Sequence, residues 1–409
     1  MGVLEKFIDL VKIDSPSDPA SPTCPSTAMQ LDVATHLERV MKEMGISNVR
    51  QQDGYVYGEI PATPGYEDKI PVGFIAHMDT APEFNGIGVK PQVIENYDGG
   101  DVLLKGSGHI LSPEEYPVLR SFKGHTLITT DGTTLLGADD KAGIAIIVET
   151  ARYFVEHPEI PHAKLCFAVT PDEEVGRGTE NFDIEEFGAQ YAYTFDGDEL
   201  GGFETETFNA AMVKVHFEGL NVHPGSAKNK MVNAIRMAMD FIARLPAESA
   251  PEKTEGHEGF FHPMGISGAV RGVDLKMLIR DHSNSRFEDR INYVRKMVEE
   301  MNKVWGDRVS ADIKVQYHNL KNYLDKHPAV CNLAREAYRR IGVEIHEKPV
   351  RGGTDGARLS AKGLPTPNLF TGGMNYHGVY ECLSVTGIQR ALDLGIMLGK
   401  MSAEVKTLD

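Results

Sequence analysis

DGTTLLGADDKAGIAIIVETARYF, residues 131–154, changes character at its middle. A Gly-containing turn leads to the adjacent acids Asp139 and Asp140, after which Ile144, Ile147, Val148 and Ala151 recur at the spacing of one helix face. An acidic pair at a helix start is by itself usually a cap, because negative charge there satisfies orphan amides and the macrodipole. What points beyond a cap is that four other stretches also run from an apolar core into acids or histidines.

The first of these is IPVGFIAHMDT, whose run Ile70–Ala76 reads as a buried parallel strand with His77 and Asp79 at its carboxyl end. AKLCFAVTPDEEVG is a second such strand, running out into Asp172, Glu173 and Glu174. AQYAYTFDGDE is a third, ending at Asp196, and TPNLFTGGMNYH a fourth, ending at His377. Strands of this kind alternating with helices, such as the one expected over 141–157, predict an α/β fold with an open sheet. Ligands of such sheets bind outside the carboxyl ends of the strands, so every candidate falls on one rim.

Elsewhere, an N-terminal helix gives way to a Pro- and Ser-rich loop and a second helix over about 29–44 that stops at Gly45. Residues 81–130 read mostly as loop and short strands. From about 210 to 320 the pattern changes to strand, helix, two strands, a long amphipathic helix and a last strand. That βαββαβ order is the ferredoxin-like unit. The expected organisation is a catalytic domain in two parts, residues 1–209 and 321–409, with a lid domain inserted at 210–320.

Length and composition agree with two soluble domains: 409 residues, 41% apolar and 25% charged. The 42 basic and 59 acidic residues leave a net charge of −17. This argues against nucleic acid or an anionic membrane as a partner. Cys24, Cys166, Cys331 and Cys382 are widely spread with no CxxC pair, so neither a disulfide framework nor a thiolate zinc site is indicated. Charged residues through the N-terminal helix exclude a signal peptide, no window has the apolar length of a membrane span, and a cytoplasmic location is expected.

His77, Asp139, Glu174, Asp196 and His377 make a two-metal site on chemical grounds. Mixed imidazole and carboxylate ligation suits zinc, with manganese or cobalt as substitutes. Two dications are balanced by three carboxylates and one hydroxide. Asp139 is the natural bridge, since a carboxylate offers one oxygen to each ion. Asp79, two residues beyond His77 on an extended chain, is placed to hold the imidazole's other nitrogen. Of the neighbours Glu173 and Glu174, one would ligate metal and the other stay free to move a proton.

HMDT, GADDKAG, TPDEEVG, FDGDE and NYHG, in this order and interrupted by a ferredoxin-like insertion, resemble the co-catalytic zinc exopeptidases, which include carboxypeptidases, aminoacylases and dipeptidases. The resemblance covers essentially the whole chain. It implies two zinc ions, one held by His77, Asp139 and Asp196 and the other by Asp139, Glu174 and His377, with Glu173 as general base and Asp79 orienting His77. It also implies a cis peptide after the bridging Asp139 and a homodimer formed through the lid. His223 in the lid would help stabilise the oxyanion, in its own or a neighbouring subunit, and Arg280 and Arg351 would meet a peptide carboxylate through the guanidinium fork. Asp198 departs from the pattern, standing where relatives have Gly. The activity expected is an aminopeptidase that releases the N-terminal residue of short peptides, tripeptides foremost. The rivals are a carboxypeptidase, dipeptidase or N-acyl amino acid hydrolase on the same scaffold, and a metal-dependent peptide-binding protein without turnover.

Overall fold

A computed structural model describes residues 2–408, and the chain divides into two compact units. The first runs up to Thr205 and resumes over Tyr323–Lys348 and from Thr354 onward; the second takes Glu206–Asn322 and Pro349–Gly353.

The first unit is built on an eight-stranded mixed sheet. Its centre is four parallel strands lying side by side in the order Leu165–Thr170, Val72–His77, Tyr191–Gly197 and Asn368–Phe370. All six residues of the first two are buried, which is why the sequence shows continuous apolar runs there and no alternation. Phe74 stacks on Phe167 and approaches Phe195 on the face covered by helices Ala138–Glu156 and Val385–Met401. The opposite face is packed by Tyr57, Phe182, Phe187, Leu359 and Leu364. Helix and sheet meet closely at Gly143, where a Cβ would lie 1.9 Å from the Phe195 carbonyl oxygen, so any side chain there would push the helix off the sheet.

Helix Ala138–Glu156 is irregular at its start. Asp139 and Asp140 have non-helical dihedrals, Gly137 before them has φ 78°, and the Asp139–Asp140 peptide is cis. Regular helix therefore begins at Lys141, the residue at which the sequence pattern starts it. One expectation fails. The fourth strand ends at Phe370, and His377 sits on a loop with φ 64°, beyond a two-residue strand, Gly373–Met374, that belongs to a separate four-stranded sheet. Gly372, at φ 94°, turns the chain from one sheet to the other, and the Gly-Gly pair at 372–373 was its visible mark.

The second unit has strands Asn209–Glu218, Phe260–Ala269, Gly272–Asp281 and Val309–Tyr317, with helices Ala234–Ala243 and Asn284–Trp305 between them in βαββαβ order. The antiparallel sheet is ordered second, third, first, fourth. Val213, Val215 and Phe217 alternate inward toward Met237, Phe241, Ile291 and Val294, while Lys214, His216 and Glu218 face out. Among the described residues no helix is long and apolar enough to cross a membrane.

Candidate metal centre

The buried strand Val72–His77 delivers the His77 ring, itself buried, and Asp79 follows two residues on. His77 Nδ1 lies 3.1 Å from the Asp79 backbone oxygen and 3.3 Å from Asp79 Oδ1. Both neighbours are acceptors, so Nδ1 keeps a hydrogen and Nε2 is the nitrogen left available to a metal ion. Nε2 faces Asp139 Oδ1 at 2.9 Å and Asp196 Oδ1 at 3.3 Å. On the other side of Asp139, Oδ2 lies 3.2 Å from His377 Nε2, which is also 3.1 Å from Glu174 Oε2.

The five side chains thus form two trios, His77–Asp139–Asp196 and Asp139–Glu174–His377, each with its donor atoms within 4.8 Å of one another. Asp139 gives a different oxygen to each. Donors about 2.0–2.1 Å from a tetrahedral ion stand roughly 3.3 Å apart, and the spacings here, 2.9 to 3.3 Å, match that edge. The donor set fits zinc-type ions.

The electrostatics point the same way. Burial acts to lower the basicity of both imidazoles, yet the surrounding carboxylates overcome it: Asp196 and Asp139 hold His77 well above its ordinary range, and Asp139 and Glu174 push His377 up to about 11. Burial, then the Asp139 charge, raises Glu174 to about 7; burial likewise carries Asp196 well up. Asp139 is pulled below its usual range by the two imidazoles despite its burial. Converging buried acids of this kind favour a cation among them, and Glu174 Oε1 is buried without a hydrogen-bond partner.

A ring of buried polar groups fixes the backbones that carry the donors. Asp79 Oδ1 accepts from the Glu173 amide at 3.0 Å and Oδ2 from the Glu174 amide at 3.2 Å, so it holds the 173–174 turn as well as the His77 ring. Asp140 accepts from the His77 amide at 3.1 Å and the Gly143 amide at 3.0 Å. Asn368 Oδ1 accepts from the Asp196 amide at 3.1 Å. Glu381 accepts from the amides of Leu136, Gly137 and Asp139 at 2.7, 2.9 and 3.1 Å. Asn368 and Glu381 were missed in the sequence. The signal available was an acid between the aromatic and apolar residues of VYECLS. Glu173 is half-buried, and burial, then the Asp355 charge, raises its carboxyl well above the ordinary range.

The other sequence candidates belong to neither trio. The Asp198 side chain is exposed, while its backbone oxygen accepts from the Gly372 amide at 2.9 Å. His223, Arg280 and Arg351 belong to the second unit. His223 is exposed, and its Nδ1 accepts from the Gly225 amide at 3.1 Å. Arg280 donates to Gln316 Oε1 at 3.1 Å and lies over the Tyr317 ring. Arg351 donates to the carbonyls of Gly256 and Glu258 and to Thr254 Oγ1, and stacks on Phe208 and Phe260.

Comparison with known proteins agrees with this architecture. Residues 205–306 match the peptidase dimerisation domain family. Among solved structures, an aminopeptidase PepT from Bacillus cereus superposes with a TM-score of 0.77 at 24% identity, over 98% of both chains. A dinuclear metal binding peptidase from the M20 family, of Bacillus subtilis, gives 0.67 at 14% identity, again over 98% of both. At those identities the likeness is one of fold. Closer in sequence is the peptidase T of Geobacillus sp. (strain WCH70), 48% identical over 402 residues and covering 98% of each chain. That of Clostridium acetobutylicum is 46% identical over 98% of this chain and 99% of its own. With nearly half its residues shared along almost its full length, this chain belongs to the peptidase T family.

Proposed function

We propose that the chain is a cytoplasmic dizinc aminopeptidase that releases the N-terminal residue of short peptides, tripeptides foremost. The observation that carries this reading is the division of Asp139: one carboxylate oxygen faces each of two donor trios. His77, Asp139 and Asp196 would hold one ion, and Asp139, Glu174 and His377 the other, with manganese or cobalt able to substitute. Bound there, the ions supply Lewis acidity for the scissile carbonyl and a lowered pKa for attacking water.

The chain's own residues do the rest. Glu173, next to a donor but in neither trio, takes the proton from the attacking water and returns it to the departing amine. Asp79, bonded to both the 173 and 174 amides, keeps base and donor in a fixed relation and holds His77 in the tautomer that frees Nε2. His223 is assigned to the oxyanion and Arg280 and Arg351 to the substrate carboxylate. Three hydrogen bonds from Arg351 also fasten the 254–258 loop. The inserted domain, residues 210–320, serves as the lid and as the surface on which two copies pair, in line with the dimerisation family matched there.

The test is a panel of free tripeptides, dipeptides, amino-blocked peptides and acyl amino acids offered to metal-free protein reconstituted with zinc, manganese or cobalt. Release of the first residue from free tripeptides, lost on blocking the amine, is expected. Preferred cleavage of blocked or acylated substrates would assign the chain to a carboxypeptidase or acylase activity instead, and binding without release would remove it from the enzymes.

A further inference from the structure

Glu381 is one of the most deeply buried acids of the first unit, 1% exposed. Its carboxylate accepts from three backbone amides, while Lys141, the buried lysine near it, donates its ammonium hydrogen to the Ile13 carbonyl at 2.6 Å. Two of the amides, Leu136 and Gly137, belong to the turn before the helix. The third is that of Asp139.

An acid serving only as a helix cap from elsewhere in the chain would satisfy the orphan donors and end its role there. This one is anchored at both ends of the problem. It stands four residues after His377 and directly before the strand Cys382–Ser384, which is hydrogen-bonded on one side to Gly373–Met374 and on the other to Leu127–Thr130. The segment that carries His377 therefore also grips the backbone of Asp139, 242 residues earlier in sequence. Since the two Asp139 oxygens face different trios, displacing its backbone disturbs both at once.

We infer that Glu381 is a positioning residue, whose carboxylate fixes the Asp139 backbone relative to His377 and thereby sets the geometry of both trios. The inference rests on the metal centre proposed above. It also makes a chemical distinction. A carboxylate accepts through both oxygens, whereas the amide of Gln accepts through only one and donates through the other. In Glu381→Gln the carbonyl can serve the Leu136 and Gly137 amides, but the NH2 is then turned on the Asp139 N–H, donor against donor.

The experiment uses the full-length protein, stripped of metal and titrated with cobalt(II), following visible absorption and stoichiometry. Wild type is expected to take up two ions. Glu381→Gln should bind at least about 10-fold more weakly, the scale seen when groups behind metal ligands are removed, with an altered cobalt spectrum. Glu381→Asp, which keeps an acceptor-only group, should recover part of the loss. It carries the test alone if the Gln variant does not fold, being then expected to bind more weakly than wild type. Leu398→Ala, a buried change on helix Val385–Met401, is the stability control and should leave the cobalt spectrum unchanged. Wild-type affinity and spectrum in Glu381→Gln, or a change no larger than in the control, overturns the role of Glu381 while leaving the metal centre standing. A wild-type protein that takes up no cobalt removes the centre itself.

Discussion

Two buried acidic sites, one in each unit, solve the same problem in different ways. In the second unit Asp281 is fully buried, and the chain supplies its counter-charges: Arg286 at 3.1 Å, Arg290 at 2.9 Å and the Ser283 amide at 2.9 Å. In the first unit Asp139, Glu174 and Asp196 are 12%, 5% and 12% exposed and converge with two imidazoles and no lysine or arginine among their close partners. Burying charge is costly unless it is matched. The Asp281 cluster draws its counter-charge from arginines of the chain, whereas the Asp139 cluster has only two imidazoles for it and, in the metal centre proposed above, would take its cations from outside. The contrast marks the Asp139 cluster, and not Asp281, as the candidate functional one on physical grounds alone.

The contrast can be broken most severely at Asp139. Asp139→Asn removes a bridging oxygen, and peptide hydrolysis is expected to fall below detection with loss of bound metal, read by a ninhydrin assay and elemental analysis. Glu173→Gln sharpens it, because Glu173 lies in the acidic group without belonging to either trio. Turnover should drop by about 10²–10⁴-fold with metal content intact. A variant that hydrolyses normally takes Glu173 out of the proton-transfer role.

Arg290→Met tests the other half. Leaving Asp281 with one of its two arginines should destabilise the second unit by about 3 kcal/mol in a urea titration while metal uptake is preserved. Chelating the metal should do the reverse, lowering the melting temperature by an amount equivalent to ~2.7 kcal/mol when free metal had stood at 100 times its Kd. The smallest effect concerns Lys141, whose ammonium burial lowers to about 8 from an ordinary 10.5. Between those values the unfolded chain holds a proton that the folded chain has released, so stability rises with pH across the window. The metal-free wild type should therefore gain on Lys141→Met in melts run from pH 8 to 10; a constant difference would place the ammonium in a solvated setting.

Much of this was legible before folding. Apolar runs ending in His77, Glu174 and Asp196 can be read because a strand buried on both faces leaves no alternation to confuse it, and the strand end is where polarity returns. The βαββαβ order of the second unit is equally plain, since each element keeps one periodicity. His377 was misplaced at a strand end because the chain leaves one sheet at Phe370 and enters another at Gly373, and a two-residue strand has no period to detect. Glu381 and Asn368 were invisible for a different reason. Their partners are backbone amides far away in sequence, and an amide is the same in every residue. Arg351 shows the converse, a conspicuous residue whose contacts with the 254–258 loop nothing local could foretell.

The most direct measurement is anomalous diffraction at the zinc edge from crystals of the zinc-loaded protein. Two peaks are predicted, one among His77, Asp139 and Asp196 and the other among Asp139, Glu174 and His377, sharing the Asp139 carboxylate. No peak, or zinc bound only away from Asp139, would contradict the account.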